Sequence, residues 1–135
     1  MSLIPRLEEE LTRPPFNAWL GLRALSAEDG QVQIALPFRP ELVGGTDPEF
    51  VHGGILASLA DIAGHAVAAV SLGQPAPTIA LSVDYLRAAP AVELTATAML
   101  RRLGRSVVRV DVEIHAGERL VALARGSFNN PGGSA

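Results

Sequence analysis

The chain contains no cysteine, which removes disulfides, thiolate zinc sites and cysteine nucleophiles from consideration together. Aromatic residues make up only 4% of its 135 positions, so a core has to be built from Leu, Val, Ile and Ala. An excess of positive charge is also missing. A formal net charge of -3 gives no general attraction to nucleic acid or to an anionic membrane. There is no GxGxxG, GxxxxGK[ST] or GxSxG pattern, which disfavours phosphate loops and the serine-hydrolase elbow. The three histidines show no HxxxH spacing, so neither a metal nor a cofactor is expected. The N-terminal residues carry a proline and three consecutive glutamates where a secretory signal needs a basic start and an unbroken apolar stretch. The expected location is therefore cytoplasmic.

What is present begins with a long apolar run, VHGGILASLADIAGHAVAAV, from Val51 to Val70. Residues 53–72 are long enough to span a bilayer, yet Asp61 near the middle costs roughly 2.5–3.5 kcal/mol on insertion, with His65 close behind. A buried helix of a soluble protein is the better reading. Its apolar residues cover nearly the whole circumference, and a helix of that kind must be enclosed. Around it, residues 3–12 read as a short amphipathic helix stopped by Pro14 and Pro15, and residues 1–15 as an N-terminal helix and connector. The runs 20–25 and 31–38 flank the turn Glu28-Asp29-Gly30 as a hairpin, and 39–51 reads as a Pro/Gly-punctuated loop. Four extended runs follow at 78–88, 91–103, 105–116 and 118–128. Val108, Val110, Val112 and Ile114 alternate with mostly polar neighbours, the signature of a half-buried strand, and 91–128 reads as a meander. Residues 129–135 have no apolar anchor and are expected to fray. One α+β domain over 1–135 is expected, with a curved antiparallel sheet wrapped around a single helix.

The candidate chemistry lies on that helix. Ser58, Asp61 and His65 fall at i, i+3 and i+7, on one face. A carboxylate is seldom buried among apolar side chains without a role, and Asp61 is placed to serve as nucleophile or general base; the plainer reading is a carboxylate hydrogen-bonded to a neighbouring backbone or side chain. Gly53 and Gly54 open the helix with uncovered amides suited to an anion; the plainer reading is a tight turn. His52 either caps the helix or acts directly. Eight residues separate Gly53 from Asp61, or roughly 12 Å at 1.5 Å per residue, too far for both to reach one carbonyl. If both serve one acyl group they come from two subunits, which predicts a dimer with interfacial sites. Arg101, Arg102 and Arg105 surround a turn, either solvated or facing the phosphates of a nucleotide-bearing carrier.

HGGILASLAD at 52–61, LSVDYLRAA at 81–89, GRSVVRVDVEI at 104–114 and LVALARGSF at 120–128 resemble the hotdog-fold acyl-CoA thioesterases of the phenylacetate-pathway (PaaI-like) type. The resemblance covers about residues 20–128, and HGG followed by an acid nine positions after the histidine is its most specific part. It implies hydrolysis of an acyl-CoA to a free acid and CoA without metal or cofactor, in homodimers or homotetramers. Asp61 matches the family's acid, and Gly53 and Gly54 match the helix start that contacts the oxyanion. His65 stands where relatives often carry a small hydroxyl residue. The loop positions that usually hold Asn or Gln and then Gly carry Thr46 and Glu49, with Asp47 available as a substitute. Thr46, Asp47, Ser58, His65, Ser82 and the three arginines are the expected substrate contacts. Two other readings stand beside hydrolysis: a non-catalytic acyl-CoA-binding module, and a hotdog dehydratase or hydratase, whose relatives arrange a histidine and a Pro-Gly turn differently before the helix.

Overall fold

A computed structural model describes residues 2–132. The chain opens with helix α1, Ile4–Thr12, whose apolar stripe buries Leu7 and Leu11. Pro15 does not simply end it, as expected above: it occupies the first turn of a second helix, α2, Pro15–Leu20. Proline is suited to that place because the amide it lacks would have no intrahelical partner there. Gly21, at φ 71°, closes α2.

The hairpin expected around Gly30 forms from β1, Arg23–Glu28, and β2, Gln31–Leu36. The segment 39–51, expected to be a loop, is more ordered than that. It contains a single 3-10 turn, Pro40–Leu42, then a small hairpin of β3, Val43–Thr46, and β4, Glu49–Val51. Gly45 permits this close pairing, since a Cβ there would collide with the Phe50 ring. Helix α3, Gly53–Leu72, follows and ends on Gly73 at φ 77°.

The remaining strands are β5, Thr78–Tyr85; β6, Leu94–Leu103; β7, Val107–Ala116; and β8, Arg119–Asn129. Together with the first hairpin they form one antiparallel sheet in the order β1-β2-β6-β7-β8-β5, and β6-β7-β8 is the expected meander. β2, β5, β6, β7 and β8 all pack on α3, so the sheet curves around the helix in the hotdog arrangement. Val108, Val110, Val112 and Ile114 are buried against it, as are Leu59, Ala63, Ala66 and Val67 of the helix. Each large aliphatic side chain buried this way contributes about 1.5–3 kcal/mol. α3 is the one helix among the described residues long and apolar enough to cross a membrane, and it lies inside the sheet.

The C-terminal end is better anchored than its composition predicts. Asn129 closes β8, and Asn130 is buried, with its N–H on Ser106 O at 2.9 Å and Nδ2 on Gly104 O at 2.9 Å. Of the expected fraying tail, residues 133–135 lie outside the described residues.

Candidate active site

The start of α3 is built by three contacts. His52 is the N-cap, and its Nδ1 accepts from Gly54 N–H at 2.8 Å. Its own N–H donates to Leu42 O at 2.8 Å, fixing the chain as it leaves β4. Tyr85, at the far end of β5, donates its hydroxyl to Gly53 O at 2.9 Å. Of the two glycine amides expected to face an oxyanion, the Gly54 N–H is therefore taken by the cap. The Gly53 N–H has no hydrogen-bond partner among the described residues and stands at the positive end of the helix dipole. His52 thus makes the capping contact, one of the two roles considered for it.

Asp61 is half-buried rather than enclosed. α3 is covered on most sides, but Gly54, Ser58, Asp61 and His65 follow one another along a stripe that the sheet leaves open, as the helical period requires. Thr78, the first residue of β5, donates its hydroxyl to Asp61 Oδ1 at 2.7 Å. That bond engages Oδ1 and leaves Oδ2 without a hydrogen-bond partner among the described residues. Nothing in the sequence pointed to Thr78, because the contact joins residues seventeen positions apart across a proline-containing turn. Ser58 Oγ donates back to Gly54 O at 2.9 Å, so its hydroxyl serves the helix backbone. His65 Nε2 accepts from Ala76 N–H at 3.2 Å, while Nδ1 faces Glu10 Oε1 at 3.6 Å.

The other expected contacts are dispersed. Thr46 and Asp47 sit exposed at the tip of the β3-β4 hairpin and make no hydrogen bond to α3. Ser82 is on the outer face of the sheet, because its neighbours Leu81 and Val83 point into the core and strand side chains alternate. It lines a depression there with Arg101, Asp111 and Arg125. Arg101 is thus separated from the turn cluster to which it was assigned. Its Nε donates to Asp111 Oδ2 at 2.8 Å, and Arg125 Nε approaches Oδ1 at 3.3 Å. The Arg101 hydrogen bond holds the Asp111 carboxyl below its ordinary value of 3.8, against a smaller opposing effect of burial and with help from Arg125. Arg102 and Arg105 do share a depression, around the β6-β7 turn, and its third cation is Arg109.

A cleft of about 270 Å3 lies beside the start of α3, lined by Phe50, Gly53, Leu56, Tyr85 and Arg87 among others. It is mainly apolar, and Gly53 forms part of its wall. Among the described residues no three His, Asp or Glu side chains converge as a metal site requires.

An acid on the central helix, a glycine-started helix end and a sheet wrapped around both define a hotdog protein, and the chain belongs to the thioesterase superfamily, whose family model matches residues 49–123. It is 33% identical over 121 residues to the medium/long-chain acyl-CoA thioesterase YigI of Escherichia coli, spanning 78% of each chain. Among solved structures it is similar to the Escherichia coli PaaI protein from the phenylacetic acid degradation operon, with TM-score 0.83 and 29% identity over 98% of each chain. A mutant structure of the phenylacetic acid degradation protein PaaI from Thermus thermophilus gives TM-score 0.77 and 29% identity, covering 86% of this chain and 98% of that one.

Proposed function

We propose that the protein hydrolyses acyl-CoA thioesters, with Asp61 as the acid-base or nucleophilic group and the Gly53 N–H as the oxyanion donor. The observation that carries this reading is Asp61 itself: a carboxylate on the open stripe of an apolar helix, oriented by Thr78 at 2.7 Å. Attack on the thioester carbon places negative charge on the carbonyl oxygen, where one oriented amide at a helix N-terminus is worth about 10²–10³ in rate. Asp61 Oδ2 either takes a proton from the attacking water or attacks directly, in which case water resolves the acyl-enzyme. In both courses the C–S bond breaks, CoA leaves as the thiol, and the acid is released.

The roughly 12 Å between Gly53 and Asp61 along α3 requires that a site combine Gly53 of one subunit with Asp61 of another. The free edge of β5, with Ile79 56% and Tyr85 52% exposed, borders the open stripe of α3 and is the surface on which a second copy would complete both sites. The cleft beside Gly53 takes the acyl chain. Arg102, Arg105 and Arg109 at the β6-β7 turn are the cations for the carrier's phosphates. The named substrates of the Escherichia coli relative make medium- and long-chain acyl-CoAs the first to assay.

The test is thiol release from a panel of acyl-CoAs by the wild type and by Asp61→Asn, with circular dichroism to show that the fold is kept. Loss of turnover in a folded variant is expected. Unchanged turnover would remove Asp61 from the chemistry and this reading with it.

A further inference from the structure

The acid of the site is not the only carboxylate that the fold treats in an unusual way. Glu10, on the N-terminal helix α1, has a side chain only 3% exposed. Its Oε2 accepts from Arg6 Nη1 of the same helix at 2.5 Å and from Nη2 of Arg13, which caps that helix, at 3.1 Å. Its Oε1 faces His65 Nδ1 on α3. A buried ion pair rarely stabilises more than an apolar side chain of the same size. A leucine at position 10 would fasten α1 to the core as well as this cluster does, so packing alone does not explain a glutamate there.

We propose that Glu10 and His65 are positioning residues for Asp61, acting through Ala76 and Thr78; this rests on Asp61 being the acid of the proposed hydrolysis. His65 Nε2 accepts the N–H of Ala76 at 3.2 Å. A nitrogen that accepts carries no proton, so the ring proton resides on Nδ1, the nitrogen that faces Glu10. The carboxylate favours that tautomer and keeps the ring turned toward Ala76. Ala76 is itself fully buried, and its N–H would lack a partner without the imidazole. Two residues on, the Thr78 hydroxyl reaches Asp61.

The dimensions of the two sides match. Asp61 and His65 are one turn apart on α3, about 6 Å along its axis. Ala76 and Thr78 are two extended residues apart, about 6.6 Å. The segment leading into β5 therefore runs alongside the helix and is held at both ends by it. Pro75 and Pro77 flank Ala76, and the fixed φ of Pro77 limits how much of a displacement of Ala76 the chain can absorb before Thr78. The imidazole is packed against Phe128, with ring centroids 6.4 Å apart.

The experiment is a double-mutant cycle on thiol release from an acyl-CoA, using His65→Phe, Thr78→Val and the pair, with Glu10→Gln alongside. Amide exchange at Ala76 and the carboxyl-carbon resonance of Asp61 are followed by NMR. His65→Phe and Thr78→Val are each expected to lower kcat by about tenfold with KM nearly unchanged, and the pair to lose no more than either alone. Glu10→Gln, which keeps the shape and removes the charge, is expected to lower kcat by about threefold and to speed exchange at Ala76. Additive losses, or full kcat in folded His65→Phe or Glu10→Gln, would overturn the proposal. If the wild type turns over no acyl-CoA, the Asp61 resonance decides. Moving in His65→Phe as it does in Thr78→Val, it keeps the positioning chain and sinks only the hydrolase reading; staying fixed, it sinks the chain.

Discussion

Position 64 of the central helix is a glycine because Phe128 occupies the place of its missing methyl group. A Cβ on Gly64 would lie 2.8 Å from Phe128 Cζ, and one on Gly126 would lie 2.7 Å from Cε1. The ring is fully buried and gripped from two sides, so it has nowhere to retreat. Alanine gains about 1 kcal/mol over glycine in a helix interior, while overpacking costs about 1–3 kcal/mol. Gly64→Ala is therefore expected to lower the urea midpoint without changing the m-value, and a raised midpoint would show that the ring can move. His52 offers a second prediction of this kind. As the N-cap it should be replaceable by asparagine with most activity kept, whereas His52→Ala should cost about 0.5–2 kcal/mol of stability. A His52→Asn protein with native stability and no turnover would make the imidazole catalytic instead. Asp61 was legible in the sequence because an acid interrupts an apolar run. Glu10 was not, since a glutamate on an amphipathic helix reads as solvent-facing and its partner His65 lies on another element. The Gly54 amide was legible only as a possible donor, because its engagement by His52 Nδ1 is a matter of rotamer.

Among the elements, β7 was the plainest, because its two faces differ in kind at a strict period of two: Val108, Val110, Val112 and Ile114 inward, Arg109, Asp111 and Glu113 outward. α2 was hidden by Pro15, which breaks a helix from within but begins one equally well. β3 and β4 were hidden by their brevity and by the glycines that let them pair. The outer face of the sheet gives this scale its prediction. Arg101 of β6 and Arg125 of β8 both bond to Asp111 of β7, so one carboxylate ties three neighbouring strands. Its folded-state pKa is depressed, chiefly by the Arg101 hydrogen bond. Below the ordinary value of 3.8 the unfolded chain takes up a proton that the folded chain still refuses, so stability rises with pH in that interval. The contribution is present in full above the unfolded value and is lost as pH falls through the folded one. Urea unfolding should thus separate the wild type from Asp111→Asn at about pH 5, above the unfolded value, and bring the two together as the solution is acidified below 3.8. A difference that persists at the acid end would mean that the carboxylate acts by packing and not by charge.

For the molecule as a whole, the fold leaves two things unfinished on the same side. β5 is an eight-residue edge strand with no second neighbour among the described residues, and such an edge invites pairing. Next to it runs the open stripe of α3 with Asp61, while the Gly53 amide stands about two turns away at the end of the same helix. A second copy that added its own β5 would cover the apolar side chains of the edge and set each helix start against the other chain's acid. This arrangement can be tested without any structure of the assembly, because it predicts what two dead proteins do when mixed. Asp61→Asn removes the acid. Gly53→Pro removes the amide hydrogen at the first helical position, where proline keeps the helix intact, and a Cβ there meets Tyr85 at an ordinary contact of 3.5 Å. Each variant alone should be inactive in thiol release. After unfolding and refolding together at equal concentration, about half of the dimers contain one chain of each kind. In such a dimer one site combines the intact Gly53 with the intact Asp61, and the other combines both lesions. Activity should return to about one quarter of the wild-type value. If each site were built within one chain, every site in the mixture would carry a lesion and no activity would return.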